Sequence, residues 1–206
     1  LKARGAAALA AAAKTRGDAR RGALVFHREA LSCTRCHAQS DDAADRSLGP
    51  DLRALPKDSS DQHLIEALLE PSKSIRKGYE TVVVETEDKV ISGFLVSENE
   101  KRIVLRDAEK DYARVQIARG EVLGFDRIDV SGMPTGLVNL LDGEQSFFDL
   151  VRYLMEIRDG GKARAKELAP DPALLVRKPL PEYETRLDHR GLIEELDDAA
   201  FKRGRE

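Results

Sequence analysis

The chain has 206 residues, 41% hydrophobic and 34% charged, long enough for one sizeable core or two small ones in tandem. Thirty-four Lys and Arg stand against thirty-seven Asp and Glu, a formal charge of −3, which supplies no global attraction to nucleic acid. No apolar run approaches the roughly 20 residues of a membrane span, and two cysteines three positions apart make no disulfide framework.

The chain opens on Leu1 with no visible signal peptide, and we expect it to be an excised or processed piece of a longer protein. Residues 1–17 are dominated by alanine, which favours helix but offers few large side chains to bury. They are expected to be a helical linker or the end of a preceding domain. Asp18 is placed to cap a helix through Ala23, Leu24, Val25 and Phe26. After a loop at 38–58, Ser59 and Gln62 resemble a capping box ahead of the Leu64, Ile65 and Leu68 stripe, which Pro71 stops.

Between 79 and 130 the texture changes. YETVVVETED, KVISGFLVSE, KRIVLRD, YARVQIA and EVLGFDRIDV are five short β-rich runs separated by polar turns, which predicts an antiparallel meander or small barrel. Helix returns over 142–158, with Asp142 as the expected cap, Gln145 three later, and a broad apolar face from Phe147 to Ile157. Beyond Gly160 and Gly161 the chain is charged and holds Pro170, Pro172, Pro179 and Pro181, so 159–206 is read as a linker or tail. The helical parts on either side of the strands are each small, and the simplest arrangement packs them together.

Cys33-Thr34-Arg35-Cys36-His37 is the stretch that carries chemistry. Two thiols on one turn with an adjacent histidine suit covalent haem attachment: the thiols form thioethers with the haem vinyl groups and the histidine binds the iron. Two other readings stay open. A thioredoxin-like pair needs no such histidine and sits at a strand-to-helix turn; a structural zinc site needs four ligands, and there is no second C-x-x-C. Gly22 and Phe26, four apart, share a helix face before the motif, and the glycine permits close approach of another helix, with Leu150, Tyr153 and Leu154 as natural partners. Downstream, Leu48-Gly49-Pro50-Asp51-Leu52 is a turn, and with haem present the Pro50 carbonyl is expected to accept the Nδ1–H of His37.

RGALVFHREALSCTRCH, LGPDL, the run from Leu64 to Glu109, SGMPTGL and FFDLVRYL together resemble the haem-binding domain of planctomycete-type cytochromes, over about residues 18–158. The resemblance implies a mainly α cytochrome c-like fold with an inserted small antiparallel β module at 79–130, as found in large multidomain secreted proteins. Where the family has a glycine at the first hairpin of the insert, this chain reads Glu87-Asp88-Lys89.

Met133, Met155, His27, His63 and His189 are the candidates for a second axial ligand. Met155 reads as core filler. His63 falls opposite the apolar stripe and reads as solvated, His27 points away from the face of Phe26, and His189 sits in the charged tail. Met133 lies on the irregular Ser131-Gly132-Met133-Pro134 stretch with no apolar period to explain it, and the resembling family places its methionine ligand there. His–Met ligation raises the potential relative to bis-His ligation, as suits an electron carrier.

One covalent haem c, held by Cys33 and Cys36 and ligated by His37 and Met133, is therefore the expected cofactor. Pro50, Phe26, Gly22, Leu52 and Tyr153 are expected around it. The expected function is electron transfer with a redox partner protein or a fused dehydrogenase domain, in a periplasmic or otherwise exported location. A haem sensor or peroxidase-like enzyme with a displaceable ligand, and an interaction module built on the β insert, are the alternatives. Finally, Ala200-Phe201-Lys202-Arg203-Gly204-Arg205 resembles Asp18-Ala19-Arg20-Arg21-Gly22-Ala23, which suggests a second cytochrome domain after Glu206.

Overall fold

The computed structural model describes residues 1–38, 40–41, 47–57, 59–110 and 112–175. His189 and the repeat-like stretch at 200–205 lie outside them. The helices are α1 (Ala6–Arg16), α2 (Ala19–Phe26), α3 (Cys33–Cys36), α4 (Asp61–Leu69), α5 (Glu144–Glu167) and α6 (Pro172–Leu175). The strands are β1 (Glu80–Glu85), β2 (Val90–Glu98), β3 (Arg102–Asp107), β4 (Ala113–Ala118) and β5 (Gly124–Ser131). They form one antiparallel sheet in the order β4-β3-β2-β1-β5, with β4 and β5 as its edges, so it is an open sheet.

The fold class is α+β, which corrects the expectation of a mainly α cytochrome c fold: 48% of the described residues are helical and 21% lie in strands. The physical reason is that the strands bury a core of their own. Val82, Val84, Ile91, Ile103, Leu105 and Ile117 close on one another as a cluster separate from the helical core. An ornament on a helical domain would instead lend its apolar face to the helices. Its first hairpin closes without glycine: the Thr86 N–H donates to the Lys89 carbonyl at 2.9 Å, so Glu87 and Asp88 suffice for the turn.

The helical core joins α1, α2, α4 and α5. Asp18 caps α2 as expected, its carboxylate accepting from the Arg21 N–H at 2.8 Å. Two other caps differ. Ser60, not Ser59, caps α4, accepting from the His63 N–H at 3.1 Å. Gly143 precedes α5 without a side-chain cap, while Asp142 pairs with Arg28.

Residues 1–17 are no linker. Leu9, Ala10 and Ala13 of α1 are buried in the helical core, because alanine's small side chain lets α1 lie close to α4 and α5. Lys14 adds an ion pair to Asp61 at 2.6 Å. Nor does α5 stop at the double glycine. It kinks at Gly161 (φ 61, ψ −152) and continues to Glu167, with Arg164 paired back to Glu156 at 2.6 Å across the kink. Among the described residues no helix is long and apolar enough to cross a membrane.

Candidate functional site

A cavity of about 640 Å³ lies where the C-x-x-C-H turn, α4, α5 and the sheet meet, within the roughly 300–1,000 Å³ typical of small-molecule and cofactor sites. Leu31, Leu52, Leu64, Leu68, Leu150 and Leu154 give it an apolar lining. Cys33, Cys36, His37, Pro50 and Met133 all line it. Residues 33–37 and 133 are a hundred positions apart in sequence, and the fold brings them to one space.

The motif itself is built by backbone. Ser32 sits in the left-handed region (φ 54) at the head of α3, turning the chain so that the cysteines open a new helical turn. The loop after His37 folds back on that turn: the N–H groups of Leu48 and Gly49 both donate to the Cys36 carbonyl, at 3.0 and 2.8 Å. The expected contact is present, since His37 Nδ1 lies 2.9 Å from the Pro50 carbonyl oxygen. Donation there fixes the tautomer with the lone pair on Nε2. Burial holds the His37 ring below its ordinary pKa, with the Pro50 carbonyl and Asp51 acting against it. Burial thus favours the neutral imidazole, the form that ligates a metal.

Three supports of this loop were not apparent from the residues alone. A Cβ on Gly49 would stand 2.7 Å from His37 Cε1, so only glycine lets the loop cross the ring edge. Arg53 clamps Asp51 bidentately, at 2.9 and 2.8 Å, and bonds the Ser40 carbonyl at 3.0 Å. Ser47 Oγ donates to the Gly49 carbonyl at 3.0 Å. The LGPD spelling signals a turn but not what the turn presses against.

Both thiols are partly buried. Burial pushes the Cys33 thiol up to about 11, and Cys36 is raised for the same reason. A redox-active pair needs a lowered pKa and a thiolate, and α3 follows a helix rather than a strand. For zinc, no group of three or more His, Cys, Asp or Glu among the described residues is placed to share an ion.

Met133 is held from both sides. Its N–H donates to Ser131 Oγ at 3.1 Å, and the Ser131 N–H donates to Ser72 Oγ at 3.1 Å. A Cβ on Gly132 would overlap the Phe94 ring at 1.8 Å, so the loop runs flush against β2. Met155 is buried in the helical core. His27 closes α2 with Nδ1 2.8 Å from the Ala23 carbonyl oxygen, away from the cavity. His63 differs from expectation: it is half-buried and lines the cavity with Leu64, Ala67 and Leu68. Leu64, Ala67 and Leu68 of the same helix line the cavity with it, so the cavity face of α4 takes in a position that is polar by composition.

Phe26 and Leu52 line the cavity, with the Phe26 ring 6.5 Å from that of His37. Tyr153 and Gly22 stand one layer behind. Tyr153 packs on Phe26 with centroids 5.4 Å apart, and burial pushes its phenol up to about 12. A Cβ on Gly22 would meet the Asp149 carbonyl oxygen at 1.9 Å, so α2 and α5 touch backbone to backbone. At that crossing Asp149 is buried and accepts from Arg21 Nε and Nη2 at 2.8 and 2.9 Å and from the Asp18 N–H at 2.7 Å.

No family model matches this sequence, and no curated protein matches it.

Proposed function

We propose that the chain is an electron-transfer module carrying one covalent haem c. The observation that carries this reading is the convergence, on one apolar cavity, of both motif thiols, a neutral histidine oriented by a backbone carbonyl, and a thioether on a braced loop. These residues fit the group: a cavity of cofactor size, two thiols on one turn, and one nitrogen and one sulfur donor. When bound, haem supplies one-electron exchange at iron. Cys33 and Cys36 would hold it by thioethers. His37 would ligate through Nε2, while Pro50 fixes the ring and raises its basicity. Met133 would supply a thioether donor, with Leu52, Leu64, Leu150 and Leu154 excluding water. Electrons would pass to and from a redox partner protein or a fused dehydrogenase domain, in the periplasm or another exported compartment where thioether attachment takes place.

The test is the mass of the denatured protein made in a host with a working cytochrome maturation system. One haem should remain attached, and it should be lost when Cys33 and Cys36 are both replaced by alanine. A wild-type mass equal to the bare chain would overturn the proposal.

A further inference from the structure

The sheet has two unlike faces. Along β3, Ile103, Leu105 and Asp107 are buried on the side of the sheet's own core, and Val104 and Arg106 lie on the other. Register continues that second side across four strands: Thr81 is opposite Phe94, Phe94 opposite Arg106, and Arg106 opposite Arg114. Phe94 and Arg106 of this row line the cavity, as does Tyr112, whose ring packs on Phe94 with centroids 5.7 Å apart.

Tyr112 is held in the left-handed region (φ 60), which is strained for a bulky side chain. Ser32 and Tyr112 are the two non-glycine residues with positive φ among those described, and both line this cavity. Strain at both walls of one space marks it as a built site. Burial, and then the Arg114 charge directly across the strand pair, lower the Arg106 guanidinium below its ordinary pKa.

Resting on the haem reading above, we infer that the sheet is the carboxylate-binding wall of the site, with Arg106, and Tyr112 on the same lining, pairing with a haem propionate. The chemistry of the two walls is complementary to the molecule. Haem is an apolar disc whose only anionic groups are two carboxylates on the edge away from the vinyls, and the vinyl edge is committed to Cys33 and Cys36. The helices offer that disc leucines, and Arg106 on the sheet is a planar cation suited to bidentate carboxylate binding, with Arg35 and Arg76 the other arginines of the lining. The sheet is thereby part of the cofactor site, and its charge acts on the iron.

The experiment measures haem content and reduction potential of the holoprotein in wild type, Arg106→Gln, Arg106→Lys and Tyr112→Phe. With haem retained, Arg106→Gln should shift the potential downward, because an uncompensated carboxylate favours ferric iron. Arg106→Lys should restore most of that shift, and Tyr112→Phe should give a smaller one of the same sign. A retained haem with an unchanged potential in Arg106→Gln, or no recovery with Lys, overturns the inference while leaving the haem proposal intact. So does a larger shift from Arg76→Gln, Arg76 being another cation on the cavity. If Arg106→Gln does not fold, an unshifted Tyr112→Phe has the same force. A wild type without haem overturns the proposed function instead.

Discussion

Gly49 is the position at which a single methyl group should report on the His37 geometry. An alanine Cβ there would lie 2.7 Å from His37 Cε1 and 2.9 Å from Nδ1, against a comfortable separation of roughly 3.5–4.0 Å. The ring must retreat by about 1 Å. The Nδ1 to Pro50 contact, now 2.9 Å, would then exceed hydrogen-bonding distance. Overpacking costs about 1–3 kcal/mol and the lost bond about 0.5–1.5 kcal/mol. Their sum of roughly 2–4 kcal/mol corresponds to a melting-temperature drop of about 5–15 °C in a domain of this size. In the haem-loaded protein the weaker donor should also raise the reduction potential. Thermal melting by circular dichroism and a potentiometric titration of Gly49→Ala measure both, with Gly120→Ala as the control, since a Cβ there meets nothing within 4 Å. If Gly49→Ala melts and titrates like that control, the loop does not brace the ring and the reasoning fails.

Both Met133→Ala and His63→Ala should leave haem attached, but only Met133→Ala should lower the potential and open the iron to carbon monoxide; the reverse pattern in a carbon monoxide titration would move the ligand assignment to His63. Gly22→Ala should destabilise the chain by about 2 kcal/mol in urea unfolding, overpacking of 1–3 kcal/mol or more outweighing the gain of up to about 1 kcal/mol in helix propensity. An unchanged midpoint would mean that α2 and α5 do not touch at the backbone. Burial works against ionisation of Asp149, but Arg21, the Asp18 N–H and Gln145 outweigh it and hold the carboxyl below its usual range. A depressed folded pKa gives stability that is present above the unfolded value of about 3.9 and lost as pH falls through the folded one. Asp149→Asn should therefore flatten the acid side of the urea midpoint profile, and an unaltered slope there would refute it.

By itself, the amino-acid sequence determined what depends on neighbours a few positions apart. The C-x-x-C-H spacing places two thiols and an imidazole on one turn wherever that turn lies. Asp18 caps α2 through an N–H three residues on, and the five β-branched runs each form a strand because alternation and turn residues are local signals. The Pro50 contact to His37 spans thirteen positions and was expected only through the haem reading of the C-x-x-C-H motif, since its own residues signal no more than a turn. The tertiary structure decided the rest. An alanine-rich segment looks too poor in apolar volume to belong to a core, yet close approach of backbones buries it against α5. His63 lines the cavity because α4 presents that face to it, which its own periodicity cannot state. The rank of the sheet as a unit with its own core, and the arrival of Phe94, Arg106 and Tyr112 at the cavity, follow from strand register and a strained φ at Tyr112. Such contacts join residues far apart in the chain, and their selection rests on which surfaces exclude water together once everything is packed.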